Sequence, residues 1–539
     1  MPNHNNNNIS YLWIETKTAQ FLLTGLIGFL LYFYSQAAFS QPGQNLFIGN
    51  AKALSLGNAV TADPPGIDAI HFNPAGLARL KGRQYQAKFI LGTVDLEAEF
   101  TPSQSYNDLL DTLGITDSVS NRKSEIEGIS IVLPGQGLTH LPFIVAPLGG
   151  LSFQPDNSNF VFATAAYSPL IGGVYRAPDD PGQFSYTDAS ATRITYFSPS
   201  IGVELNERVS VGGSIGVSYV GVGADVDVRF PNILAAGGEG FRQLFCQALG
   251  FATFPCAGSL NTVDSVANID LVLEEYMSTT FNLGLLWDIN DWLTWGLTYQ
   301  SSVTDSLEGD VTIEYAPGIQ DFFASVPGLA ALFPDFNYTK ETVKSKLDLD
   351  YPQHFATGVS MQLLPRWKLN VDAKWTDTSA WDEWVVEFDE TVDVLALLSL
   401  PLSVIGVSEV RGNSIVIPRG YKSVWNFSFG GEYQYSDQLV LRAGYEHRPS
   451  HIPDDKLDFI VPVADIDVFS VGAGYKWDQD TVVDIAVGLV QSKYSIEPNS
   501  STNFNSEEID NFVYNPYLGQ QGDIKLTALL FMLSYQTTW

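Results

Sequence analysis

Long segments of this chain alternate strictly between bulky apolar residues and small or polar ones, a period that fits a strand and not a helix. From Val209 to Tyr219 the odd positions are apolar or glycine and the even ones serine or glycine. The same period runs from Trp425 to Tyr435 and from Val483 to Leu489. The apolar face is large and aromatic, and the opposite face is small or polar. A soluble sandwich would bury its bulky face against a second sheet. Here the bulky face needs an apolar surrounding while the small one lines an interior, which is the pattern of a membrane-spanning barrel.

Composition agrees. Charged residues make up 16% of the 539 residues, against about a quarter in ordinary soluble domains. A net charge of −32, from 28 Lys+Arg against 60 Asp+Glu, leaves no basic face for nucleic acid. Phe21 to Tyr34 is apolar but shorter than the ~20 residues a spanning helix needs. Ala38 and Ser40 behind it suit cleavage before Gln41, so 1–40 reads as a signal peptide. No later uncharged apolar run is long enough for a helix, so any membrane crossing falls to strands.

The alternation predicts fourteen strands, at about 84–100, 142–154, 160–175, 192–206, 208–229, 268–288, 291–315, 340–364, 366–390, 421–435, 438–449, 465–477, 480–496 and 523–539. Their connections alternate between short turns, such as Asn206-Glu207 and Ser436-Asp437, and long links such as 101–141 and 230–267. That is the signature of an up-and-down outer-membrane barrel with both ends on the short-turn side. In hydrocarbon every backbone N–H and C=O needs a partner, so the sheet must close. Trp287, Trp292, Tyr299, Tyr435 and Trp477 are expected at the headgroup level, and the last strand ends on Trp539. The expected fold is therefore an all-β membrane protein, a fourteen-stranded antiparallel transmembrane β-barrel over 84–539.

Residues 41–83 are not strand-like. They carry Ala53 to Ala59 (ALSLGNA) and then Ile70-His71-Phe72-Asn73-Pro74-Ala75-Gly76-Leu77. This resembles the N-terminal hatch of the FadL/TodX/OmpP1 family of outer-membrane long-chain fatty acid and hydrocarbon transporters, whose Asn-Pro-Ala motif is matched by Asn73, Pro74 and Ala75. Phe143 to Pro147, Leu297 to Ser301, and the stretches Tyr421 to Pro453 and Pro462 to Trp477 resemble the family in the same order; Gln300 stands where the family usually has arginine. The resemblance implies a fourteen-stranded barrel plugged by a hatch at 41–83, placed in the outer membrane of a Gram-negative cell.

It also implies a route for a hydrophobic cargo, most simply a long-chain fatty acid, with neutral hydrocarbons or monoaromatics as the alternative. Sixteen methylenes at ~0.8 kcal/mol each give on the order of 12 kcal/mol of gross drive toward apolar surfaces. Capture is expected on the apolar long loops, at Phe241, Leu244 and Phe245, and at Phe322, Phe323, Leu329, Leu332 and Phe333. Release is expected sideways, because family members have an interrupted third strand and the matching stretch here holds Ser168, Pro169, Gly172 and Gly173. Arg229, Lys374 and Arg442 have inward phase and could meet a carboxylate; Gly221 and Gly223 stand where family cations would be sought. Expected partners are the cargo, outer-membrane lipid and lipopolysaccharide, and the barrel-assembly machinery through the C-terminal strand. A monomer without cofactor is expected.

Other patterns carry less. Cys246 and Cys256 read as a disulfide closing a small loop in an exported chain. Gly212 to Gly216 matches G-x-S-x-G, but alternation continues past Ser214, where a hydrolase needs a sharp turn into a helix. His447 and His451 flank Pro449 at a strand-to-loop junction, which reads as a loop and not a metal site. A lipid-hydrolysing barrel enzyme is the other class of function considered, and no convincing Ser/His pair supports it.

Overall fold

The structure, a computed structural model, describes residues 45–229, 231, 263–317, 339–392, 395, 410–506 and 515–539. In chain order the strands are β1 (Arg83–Pro102), β2 (Arg122–Glu125), β3 (Gly128–Leu133), β4 (Gly137–Leu141), β5 (Ile144–Phe153), β6 (Phe160–Tyr175), β7 (Asp188–Phe197) and β8 (Ser200–Asn206). They continue as β9 (Val209–Val228), β10 (Ala267–Asn290), β11 (Leu293–Gln300), β12 (Val303–Tyr315), β13 (Lys340–Tyr351), β14 (His354–Leu364), β15 (Trp367–Thr376) and β16 (Glu383–Phe388). The last are β17 (Val410–Arg411), β18 (Ser414–Pro418), β19 (Val424–Gln434), β20 (Leu439–Arg448), β21 (Ile466–Lys476), β22 (Thr481–Ile496) and β23 (Gln520–Thr538).

All of them join one antiparallel sheet, and β23 returns to β1 in unbroken register from Gln84↔Thr538 to Pro102↔Gln520. That seam closes the ring. Taking a broken strand as one stave gives the fourteen-stranded barrel, and among the described residues no helix is long and apolar enough to cross a membrane.

The alternation sets the two faces as the sequence requires. Ile215, Phe427, Phe429, Ile485, Val487, Leu529, Phe531 and Leu533 are exposed, while Ser214, Ser428, Ala486 and Leu530 are buried. Trp287, Trp292, Trp367, Tyr435, Trp477 and Trp539 stand exposed near the short-turn end, where amphipathic rings suit the lipid headgroups.

Four expected strands prove to be broken in two: 192–206 at Ser198-Pro199, 291–315 at Ser301-Ser302, 340–364 at Pro352-Gln353, and 366–390 across Asp377–Asp382. Proline lacks the N–H that a continuous ladder needs, which accounts for two of the breaks. Two expected links are also structured. Residues 101–141 hold a helix (Gln104–Leu113) and the strands β2, β3 and β4, and 391–420 holds the β17–β18 hairpin. Tyr299, expected at the headgroups, is half-buried and donates its hydroxyl to Gln353 Oε1 at 3.0 Å.

Candidate functional site

Residues 45–80 fold into two short helices, α1 (Ala51–Ser55) and α2 (Ala69–Phe72), and 3-10 turns at Gly66–Asp68 and Pro74–Arg79. Nearly all of the segment is buried. It presses on small inward positions around the ring. A methyl group at Gly212 on β9 would overlap the Pro74 carbonyl, and one at Gly444 on β20 would overlap the Leu56–Gly57 backbone. Only glycine permits so close an approach of backbone to backbone.

The Asn-Pro-Ala motif forms a cap. Asn73 accepts from Ala75 N at 3.2 Å and donates to Thr61 O at 2.8 Å and to Leu285 O on β10 at 3.1 Å. Pro74 opens the turn where its missing N–H costs nothing. The motif thus ties the segment to itself and to the wall.

Charged and polar tethers hold the rest. Lys88 on β1 donates to Asp68 at 2.6 Å and to Ile48 O at 2.7 Å, both side chains being fully buried. Thr61 donates through its backbone N–H and hydroxyl to Asp372 on β15, and Asn58 donates to Glu446 on β20 at 3.0 Å. Asp63 pairs with Lys52 at 2.8 Å and with Lys368. Burial opposes the Asp63 charge, but Lys368 and Lys52 together hold its carboxyl well below the usual range. His71 Nε2 donates to Asn45 Oδ1 (2.5 Å), and the ring packs on Phe72 and Tyr167, both at 5.3 Å. Burial, helped by Lys88, drives its ring down to about 3, so it is neutral.

Tyr167 leads to a weak junction of the wall. β5 pairs with β6 only from Gly149↔Ala166 to Phe153↔Phe162, while Ile144 to Leu148 pair on their other side with β1. On the far side of β6 the register with β7 skips Ser168 and Pro169. Pro147 and Pro169 lie on the two facing strands just past the last rung, and neither offers an N–H. Ser168 Oγ instead donates to Arg193 O at 2.6 Å and Leu170 O at 3.0 Å. β6 itself is continuous, so the expected interruption takes the form of a bulge and an unzipped edge. A side chain at Gly172 would enter open space, whereas Gly173 is crowded by Ser130 and Ser190.

Arg193, which sequence reasoning passed over, sits beside this junction. It is buried, donates to Asp305 and to Ser278 at 2.6 Å each, and lies over the Tyr351 ring at 4.4 Å. The signal was present: a lone cation at inward phase among the small residues of DASATRIT.

The three cations named from sequence are all paired. Arg229 is buried, donating to Asp117 at 2.6 Å and to Pro516 O at 2.6 Å, 4.2 Å over Phe184. It belongs to an aromatic roof at the long-loop end, with Phe100, Phe459, Phe504 and Tyr517. Lys374 donates to Glu446 at 3.0 Å and borders a small polar cavity with Asn58, Gln300 and His354. Arg442 bridges Glu432 and Asp484. The capture residues Phe241, Leu244, Phe245, Phe322, Phe323, Leu329, Leu332 and Phe333, and Cys246 with Cys256, lie outside the described residues.

Ser214 is mid-strand in β9 and donates to Ile70 O at 3.0 Å, so it tethers the segment and stands on no elbow. His447 meets Asp467 at 2.9 Å, while His451 is buried against Tyr421. Among the described residues no three potential metal ligands converge.

A family model described as outer membrane protein transport protein (OMPP1/FadL/TodX) matches residues 33–539. A long-chain fatty acid transport protein of Escherichia coli O6:H1 is 20% identical over 214 residues, 40% of this chain and 42% of that protein. The match thus spans about two-fifths of the length of that curated relative. Among solved structures, a Pseudomonas aeruginosa FadL homologue is similar with a TM-score of 0.63 at 19% identity, covering 93% of this chain and 99% of that one. The Pseudomonas putida toluene transporter TodX gives 0.58 at 15% identity, covering 92% and 99%. At such identities the likeness is one of fold.

Proposed function

This chain belongs to the outer-membrane transport protein family OMPP1/FadL/TodX, and from that premise we propose that it carries long-chain fatty acids inward through the outer membrane without acting as an enzyme. The apolar long loops capture the cargo, residues 41–83 serve as the hatch that plugs the lumen, and release is sideways between β5 and β6. The observation that carries this reading is the unzipped edge past Gly149↔Ala166, with Pro147 on β5 and Pro169 on β6 both lying just beyond the last rung. Elsewhere a lipid-facing wall must pair its backbone or pay heavily for each orphan. A place where it does not is a place where an apolar molecule can leave without crossing the barrel's polar ends.

The relative named for long-chain fatty acids supports that cargo. The pairing of Arg193, Lys374 and Arg442 with carboxylates favours a second reading. With these three cations already neutralised, the lumen suits neutral hydrocarbons or monoaromatics, as the name of TodX would have it.

Replacing Pro169 with valine, which can complete the ladder, tests the route. Uptake of labelled oleate by cells should fall about tenfold with surface binding retained; unchanged uptake would end the sideways route. Native mass spectrometry of the purified protein decides between the cargo classes by what co-purifies.

A further inference from the structure

The second stave of the wall is made of two pieces. β2 pairs with β1 at Glu97–Phe100 and β5 pairs with it at Arg83–Gly92, leaving Thr93 to Leu96 without a partner on that side. The β3–β4 hairpin leaves the wall at this break. Its only rungs to the wall are Gly128↔Tyr175 and Ile129↔Val174 at the end of β6.

Beyond that hinge the hairpin lies against the outside of the barrel. On β9, Ser214 points inward and Ile215 outward, so Gly221 and Gly223 are outward by the same parity. A side chain at Gly221 would strike Val132 of the hairpin, and one at Gly223 would strike Leu138. These glycines, found where cations were sought, are a seat for the hairpin. Three polar contacts fasten it: Val132 N donates to Thr192 Oγ1 at 3.2 Å, Gly135 N donates to Glu274 at 3.0 Å, and His140 Nε2 meets Asp188 at 2.6 Å. The His140 ring also stacks on Tyr175 at 4.0 Å.

The other edge of the hairpin faces the lumen at its base. Ile129 and Leu141 pack in one cluster with Ile144, Leu148, Val174 and Leu46 of the N-terminal segment. They pack beside the unpaired edges of β5 and β6. Further along the same face come Ile131 and Leu133, half-buried, and exposed Phe143 follows the hairpin. Apolar side chains thus extend from Leu46 of the N-terminal segment, through Ile129 and Leu141, to exposed Phe143.

We propose that the β3–β4 hairpin is a hinged flap over the lateral exit, and that an apolar chain leaves the lumen by displacing Ile129 and Leu141 as the flap swings off its glycine seat. This rests on the transport reading above and names the moving part of its exit. Two rungs and three polar contacts are a light attachment beside a seam that is paired along the whole of β1. The floor of glycines lets the hairpin sit close without interlocking side chains, so it can lift without forcing other residues aside.

A reversible cross-link tests it. In a Cys246→Ser, Cys256→Ser background, Leu138→Cys with Gly223→Cys should form a disulfide across the seat. Oxidised cells should take up labelled oleate at least tenfold more slowly, with recovery on adding reductant. His140→Ala, which leaves the seat intact, should speed uptake severalfold. A cross-linked protein that carries oleate at the reduced rate overturns the flap while leaving transport standing. Failure of the parent background to carry oleate overturns the transport reading itself, and the flap with it.

Discussion

Two junctions between antiparallel strands of the same ring behave in opposite ways. The β23–β1 seam pairs along the whole of β1, with Leu530 and Met532 buried on one face and Leu529, Phe531 and Leu533 exposed on the other. The β5–β6 junction pairs over five residues a side and then stops, with a proline on each strand just past the last rung. The seam brings together residues more than 400 positions apart in sequence, so sequence distance is not what weakens a junction. Local chemistry is: an N–H at every rung closes a wall, and its loss at Pro147 and Pro169 opens one.

The largest effect expected is at the seam. Leu530→Pro puts the same defect in a place with no hairpin to cover it, costing about 3 kcal/mol or more at the rung and exposing backbone to lipid. Folded barrel should disappear from the outer-membrane fraction, as read by heat-modifiable gel mobility. If Leu530→Pro assembles normally, an unzipped edge is tolerated anywhere and the β5–β6 gap loses its meaning.

A more local effect, confined to the N-terminal segment, should follow from cutting the tether beside the gap. Lys88→Met leaves Asp68 buried without its cation, a change of roughly 3–5 kcal/mol for a broken buried pair. Hydrogen exchange of 45–80 should rise steeply while β1 and β23 stay protected. If both change together, the segment and the seam are one unit and the contrast between them fails.

Acid gives the third. His71 is neutral in the fold with its ring held at about 3, while the unfolded ring titrates near 6.5. A depressed folded value means stability that is complete above 6.5 and is lost progressively as pH falls toward 3. By pH 5 the segment should have lost roughly 2 kcal/mol of its local stability, which His71→Gln should abolish. Exchange at 45–80 that is flat between pH 7 and 5 would refute this.

The smallest is a control. Lys344 pairs with Asp310 at 2.7 Å, both side chains being exposed. Such pairs contribute about 0–1 kcal/mol, so Lys344→Ala should leave unfolding and uptake unchanged.

Much of this was legible in the chain. Ser214, flanked by Gly213 and Ile215, already says which face is inward, and Pro169 already marks a rung that cannot form. Asn73-Pro74-Ala75 was visible as a turn, though not that Asn73 would reach Leu285 on β10. Residues 101–141 were read as a link because β3 and β4 are short and their apolar run, Ile129 to Leu133, breaks the strict alternation. Gly221 and Gly223 were noticed only as missing cations. Their use appears when Val132 and Leu138, some eighty residues earlier, are laid over them.

The period of two and the turns settled by themselves that this chain is a closed barrel with its bulky face outward. Those signals are local, since each residue's face follows from its neighbours one and two positions away. The tertiary structure alone decided which carboxylate neutralises which cation, how the N-terminal segment is clamped, and what covers the gap. Those contacts depend on the register and closure of the whole ring, which bring Thr61 to Asp372 and Lys88 to Asp68, and no window of sequence contains them.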